Sequence, residues 1–512
     1  MSEDNKTIIV CGATGKQGGS VVDALLRHTN FNVKAMTRDT KKPVSKLLKN
    51  RGVEVVEVDY DNPRSLYNAI NGCDGIFVVT NFWEDMNPKT EIKHGIILAD
   101  VIKETSIKHC VWSCLEDTRK ILGDDVEKIG EFKIPHFDAK AVISKYMKKL
   151  DLPVTYVYTS FYWENFLDIM KPVKNNDDEY LINIPMGDIE LAGVSVEDIG
   201  KTVSYIFYTG EETIGRDVGI VGEYVKVEDM ANILSKYSGK KYIYKPMSND
   251  EYRNLGFPGC RELANMFLYY TNHIDSIKKI RNIEKLENNY NNTLITFDKW
   301  AQKYFNKNML TYFDRPGNVE PIRILLRIAK VNFYDNRVRN NHDITKNQRN
   351  NDDLTKLHLQ GLIPFGQLPV YKEDDFVISH MGSILRYIAR KYNFEGENEE
   401  EKTMADTLFI LTDSILTKFF KILYTPTSPD VKNHFKKTEL AMLFIFFDKV
   451  LENNMKKHNL EKPIYFVGTK ITYCDAFIFN CIKSLVSSIK GLGFPESVVT
   501  FYKNFNEIVS NL

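Results

Sequence analysis

Long apolar runs are missing from this chain: no stretch of 18 consecutive apolar residues occurs, so no segment reads as a membrane-spanning helix. An excess of charge of either sign is missing too. Lys+Arg and Asp+Glu both total 68, so no global field draws the protein to nucleic acid or to an anionic membrane surface. Cysteine is sparse, at seven in 512 residues, with no C-x-x-C pair and no metal-ligand spacing. With a start, MSEDNK, that lacks an apolar signal core, this predicts a reduced intracellular protein, cytoplasmic or nuclear, without a metal centre. The length is more than one hydrophobic core usually serves and predicts about two to four domains.

Glycine is placed where it carries information. Residues 8–26, IIVCGATGKQGGSVVDALL, pair a β-branched run with Gly12, Gly15 and Gly18 and then an apolar-periodic helix. A strand turning tightly into a helix offers unpaired N–H groups and the positive end of a helix dipole to an anion, and glycines let a diphosphate approach. A packing turn would share this spacing, so the units that follow matter. Strands at 32–37, 53–58, 75–80 and 109–114 alternate with helices at 44–49, 65–70 and 91–104, and 151–159 reads as a sixth strand. This predicts an α/β fold with a doubly wound parallel sheet of the Rossmann type and a ligand beyond the carboxyl ends of the strands.

The second strand ends in Thr37 and Arg38, at the place where a carboxylate would hold a ribose diol, with Lys41 and Lys42 close behind. A guanidinium there forks onto a 2′-phosphate, which favours NADP(H) over NAD(H). Tyr60 would border the adenine. Asn81, Phe82 and Trp83, after the fourth strand, would meet the central riboses and nicotinamide, or Phe82 and Trp83 would form a lid over the core. In HFDAK, Lys140 stands four residues after His136, on one helix face. Short-chain reductases place a Tyr where His136 stands. His136 is therefore a candidate proton donor, but no partnering Ser is evident, and binding is better supported than turnover.

GATGKQGGSV, VTNFW, HFDAK, FYWENF, MGDIELAGVSVEDIG and EYRNLGFPG together resemble the NmrA-like family, particularly its NADPH-sensor members. The resemblance implies an atypical short-chain dehydrogenase domain over residues 1–305 that binds NADP(H) as a redox-responsive regulator with protein partners. By position it implies cofactor contacts from Gly12, Thr14, Gly15, Lys16, Gln17, Gly18, Arg38, Lys41, Tyr60, Asn81, Phe82, Trp83 and Lys140. Trp163, Glu164 and Asn165 would line the cleft from a small substrate-like lobe. Ser195, before Glu197 and Asp198, reads as a helix cap, and residues 288–292 as a loop.

Near residue 309 the pattern restarts. Strands at 310–313, 331–334 and 376–379, helices at 320–329 and 383–392, and a polar insert over 336–353 are followed from about 397 by helices alone. TYFDRPGNVEPIR, PFGQLPV, ILRYIAR and VGTKITYCDAFIF resemble glutathione transferases of the sigma type. That implies a thioredoxin-like α/β domain over 309–393 and an all-helical domain over 396–512. It also implies a glutathione site in which Tyr312 stabilises the thiolate and Gln367, Leu368 and Pro369 hold the tripeptide backbone. Thr472 and Asp475 match a helix-capping box. The family's Arg six residues past the tyrosine is Asn318 here, and its γ-glutamyl-gripping Gln-Ser is His380 and Met381. Each lost grip costs about 1–3 kcal/mol.

The expected function is an NADP(H)-binding redox-sensing regulator with a glutathione-transferase-like module of weak or absent activity. The alternatives are an active glutathione transferase with a fused NADPH-binding module and an NADPH-dependent oxidoreductase. A homodimer through the transferase-like half and a regulatory protein partner are expected, with no direct nucleic-acid or membrane binding.

Overall fold

The β-branched run at the start of the chain forms β1 (Thr7–Val10), and the glycine turn after it opens into α1 (Lys16–His28). The structure, a computed structural model, describes residues 6–290, 293–338, 354, 357–358, 362–489 and 492–512. The alternation continues through β2 (Asn32–Thr37), α2 (Pro43–Asn50), β3 (Glu54–Glu57), α3 (Pro63–Ile70), β4 (Gly75–Val78), α4 (Pro88–Glu104), β5 (His109–Cys114), α5 (Pro135–Lys149) and β6 (Val154–Tyr158). With one more strand, Asp217–Gly219, these make a seven-stranded sheet in the order Asp217–Gly219, β6, β5, β4, β1, β2, β3. Every pairing in it is parallel. The chain leaves β1 toward β2 and returns on its other side at β4, with Val10 opposite both Ala35 and Phe77. That reversal opens a crevice beyond the carboxyl ends of β1 and β4.

β4 and β5 are buried along their whole length, as strands covered on both faces must be. One face is filled by α1 and by α6 (Val196–Thr209) through Val21, Val22, Leu25, Ile199, Val203 and Ile206. The other is filled by α3, α4 and α5 through Leu66, Ile70, Leu98, Ile102, Ile143 and Met147. Side chains close the helix starts: Asn62 caps α3, Asn87 caps α4 and Ser195 caps α6. The small lobe sets the strands Phe161–Tyr162, Leu191–Val194 and Glu223–Val225 over an aromatic core of Trp163, Phe166, Phe267, Phe297 and Trp300. The loop expected at 288–292 is in part helical, because Ile283–Tyr290 forms a helix through its first three positions; residues 291 and 292 lie outside the described residues.

The chain divides into two compact units, Met1–Phe305 and Asn306–Leu512. The second holds a four-stranded sheet in the order Tyr334–Val338, Asn308–Phe313, Val370–Glu373, Phe376–Ser379, the first pairing parallel and the others antiparallel, which is the thioredoxin-like arrangement. From Glu399 onward the described elements are all helical, and Phe444, Phe447, Phe466, Phe477 and Phe501 fill their core. One strand is displaced from its expected place at 331–334. Val331 and Phe333 pack onto the core as the chain leaves its helix, and the polar residues Asp335, Asn336 and Arg337 form the strand instead. Asp335 takes the buried Arg323 guanidinium at 3.1 Å, and this edge position pairs on one side only. The expected insert thus loses 336–338 to that strand, and 339–353 lies outside the described residues. Among the described residues no helix is long and apolar enough to cross a membrane.

Candidate cofactor site

The turn between β1 and α1 is a cradle whose floor is backbone. Gly12 has φ +60°, and a Cβ on Gly18 would lie 2.3 Å from the Gly12 carbonyl oxygen, so only glycine allows the turn to close this tightly. Unlike α3, α4 and α6, α1 has no side-chain cap, and no acidic residue stands in its first turn. Its N–H groups and positive dipole end are left to an anion, which fits a dinucleotide diphosphate. Thr14 and Gly15 are exposed on the rim. Gln17 donates from Nε2 to the Tyr162 hydroxyl, while its Oε1 is buried without a partner. Tyr60 turns its hydroxyl toward Cys11, directly before the turn, and burial pushes its pKa well up.

Arg38, Lys16 and Lys140, three of the cations expected at the cofactor, are held by carboxylates. Arg38, just past β2, pairs through Nη1 with Glu84. Lys16 pairs with Asp168 of the small lobe at 2.7 Å and reaches the Asn165 Oδ1 at 3.5 Å. Lys41 is exposed. Lys140, on α5, is the most tightly held: its ammonium donates to the Thr80 carbonyl at 3.2 Å, the Thr80 hydroxyl at 2.8 Å and Glu91 Oε1 at 2.6 Å. The ammonium is thereby shared between Thr80, past the end of β4, and Glu91, beside the place where the cofactor contact is expected. Glu91 Oε2 is buried with no partner.

His136 is buried at the start of α5. Glu262 accepts from its backbone N–H at 2.7 Å and from Nδ1, which fixes the ring orientation and leaves Nε2 as the unassigned nitrogen. The ring packs among Phe82, Trp83 and Phe137 at centroid distances of 5.8, 5.0 and 4.8 Å. Phe82 is buried and Trp83 and Asn81 are exposed, so of the lid pair only Phe82 joins the core. A cavity of about 330 Å³ lies beside this cluster, lined in part by Met86, Ile129, Phe132, Pro135 and Glu262.

Of the residues expected to line the cleft, Trp163 is turned into the core and Glu164 is half-buried against the start of α6. Trp163 is wholly buried, with its indole against Gly193, where a Cβ would meet Nε1 at 2.0 Å. Glu164 accepts from the Ser195 hydroxyl, the Val196 N–H and the Trp300 Nε1, at 3.0, 3.1 and 3.1 Å, which bolts the start of α6 to the small lobe; burial raises its pKa. Glu91, Glu262, Glu84 and Asp168 went unread in sequence. Only Glu84 carried a signal, as the neighbour of Trp83.

In the second unit Tyr312 is buried, and its ring and hydroxyl lie 3.0 and 3.1 Å from where a Cβ on Gly317, which has φ +50°, would stand. Gln367 is exposed, Leu368 half-buried and Pro369 buried, across a cis peptide. His380 is exposed at φ +74° ahead of the helix Met381–Tyr392. Met381 packs onto the hydrophobic core, which is where its thioether gains what a ligand-binding hydroxyl would not.

These features define a Rossmann-type α/β unit followed by a thioredoxin-like and helical unit. Residues 4–301 match the model of the NmrA-like family and residues 413–511 that of the glutathione S-transferase C-terminal domain. The chain belongs to the NmrA-like family and carries a glutathione S-transferase module. Over 264 residues it is 29% identical to an NmrA-like family domain-containing protein of Dictyostelium discoideum, covering 48% of this chain and 82% of that protein. Over 209 residues it is 30% identical to a glutathione S-transferase of Plasmodium falciparum, covering 40% and 90%. The crystal structure of NmrA, a negative transcriptional regulator, in complex with NAD aligns with TM-score 0.50 at 20% identity, covering 59% of this chain and 96% of that one.

Proposed function

We propose that this chain is an NADP(H)-binding, redox-responsive regulatory protein whose glutathione-transferase-like unit serves dimerisation or partner binding and retains at most weak glutathione recognition. One observation carries the reading: a complete phosphate cradle stands beside a helix face on which Lys140 is locked to Thr80 and Glu91 and no tyrosine occupies position 136. The protein can hold the cofactor without the proton donor that turnover of a short-chain reductase uses. The likeness to a transcriptional regulator complexed with NAD supports it. Arg38, directly past the end of β2, supports NADP(H) over NAD(H), the neighbouring Asp39 carboxylate accepting from the Lys41 N–H at 2.8 Å.

A second reading has its own observation. The His136–Glu262 pair is a buried imidazole oriented by a carboxylate, an arrangement that serves general acid catalysis. Bound NADPH would supply a hydride; His136 would supply the proton from Nε2. The test is NADPH consumption by the full chain against a panel of carbonyl and quinone acceptors. The regulatory reading expects background rates with NADPH bound. A rate that His136→Ala removes, with NADPH affinity kept, would replace it by the reductase reading.

A further inference from the structure

The partner of Arg38 carries information beyond the choice of cofactor. Glu84 ends the turn Phe82–Glu84, and both members of its pair with Arg38 are about half exposed, so the contact is open to exchange. The same turn holds Trp83, which rests on His136 at 5.0 Å and beside Gly259 of the small lobe, whose Cβ would lie 3.3 Å from the indole. Gly259 begins the helix Cys260–Asn272 that carries Glu262, the carboxylate on His136. One turn therefore joins the end of β2, where a 2′-phosphate is expected, to the wall of the small lobe.

The geometry points to Glu84 as an internal stand-in for the 2′-phosphate of NADP(H): the phosphate takes Arg38, Glu84 is expelled by like charge, and the turn bearing Trp83 shifts against His136 and Gly259. This rests on the cofactor reading above and adds its regulation. A dianionic phosphate outcompetes a carboxylate for a guanidinium because it offers more charge and more acceptors. NAD(H), with a ribose hydroxyl there, leaves Arg38 to Glu84. Glu84 then sets both how strongly NADP(H) is preferred and whether binding is felt at the lobe wall. An exposed pair of this kind contributes modestly, so its loss should alter affinity by about two- to fivefold.

Trp83 supplies the readout. It is 40% exposed, whereas Trp112, Trp163 and Trp300 are at most 1% exposed. Tryptophan emission of the full chain is followed during titration with NADP⁺, NAD⁺ and adenosine 2′,5′-bisphosphate, with binding measured in parallel by calorimetry. NADP⁺ and the bisphosphate should shift the emission, saturating NAD⁺ should not, and Trp83→Phe should abolish the shift. Glu84→Gln should tighten NADP⁺ about two- to fivefold, leave NAD⁺ unchanged and remove most of the shift. NADP⁺ that binds silently, an equal shift with NAD⁺, or a Glu84→Gln protein with unaltered NADP⁺ affinity and shift would overturn the exchange while leaving the cofactor reading intact. If calorimetry detects neither dinucleotide, the cofactor reading falls and the exchange falls with it.

Discussion

The two units keep their ancestral sites in opposite ways. In the first, the expected ligand cradle is made of backbone and glycines, and the departure lies in a side chain of chemistry, His136 where a tyrosine is expected, while Lys140 is kept and paired with Glu91. In the second, the parts that hold the fold persist while the groups that grip the ligand ends have changed to Asn318, His380 and Met381. Asp475 accepts from the Phe466 and Thr472 N–H groups at 2.7 and 2.8 Å and from the Thr472 hydroxyl at 2.8 Å, and Arg323 is buried on Asp335. A cradle written in backbone tolerates changes in nearby side chains, whereas a grip written in side chains does not.

The sharpest way to separate the units is Asp475→Ala. It leaves two buried N–H donors unpaired and should cost the second unit about 2–5 kcal/mol, read as a lowered unfolding midpoint, with NADP(H) affinity unchanged. Acid should act on the first unit. His109 is buried against Thr155 and Phe207, and burial lowers its pKa to about 4. Its folded value lies below the unfolded one near 6.5, so the associated stability is complete above pH 6.5 and is lost as pH falls toward 4, by up to about 3 kcal/mol. Denaturant melts of the first unit should show that slope, and His109→Gln should flatten it. Arg38→Ala should weaken NADP(H) by about 1–2 kcal/mol, a figure kept low because the guanidinium is half exposed, and should leave NAD(H) alone. The smallest effect is expected from Met381→Ser, which restores a hydroxyl where the transferase family grips glutathione. It should improve glutathione binding severalfold at a small cost in core packing, and no improvement would mean that the losses at Asn318 and His380 dominate.

Much of this was readable in the chain. The glycine turn announces itself because strain and close approach dictate residue type locally, and Ser195 reads as a cap because its hydroxyl bonds an N–H two residues on. What stayed hidden depends on long-range pairing. Glu91 meets Lys140 across 49 residues and Glu262 meets His136 across 126, and nothing in either neighbourhood marks the partner. Trp163 looked like a cleft residue because its motif borders the cleft, yet only Gly193 opposite it reveals the buried slot its indole fills. The strand Tyr334–Val338 escaped because its residues are polar and pay no hydrophobic signature, being held by Arg323 instead.

The central claim is that the first unit binds while the second has lost most of its grip. Parallel calorimetric titration of the full chain with NADPH, NADH and glutathione tests it most directly. The account predicts NADPH binding well ahead of NADH, and glutathione weaker than either. Micromolar glutathione binding, together with conjugation activity that Tyr312→Phe abolishes, would contradict it.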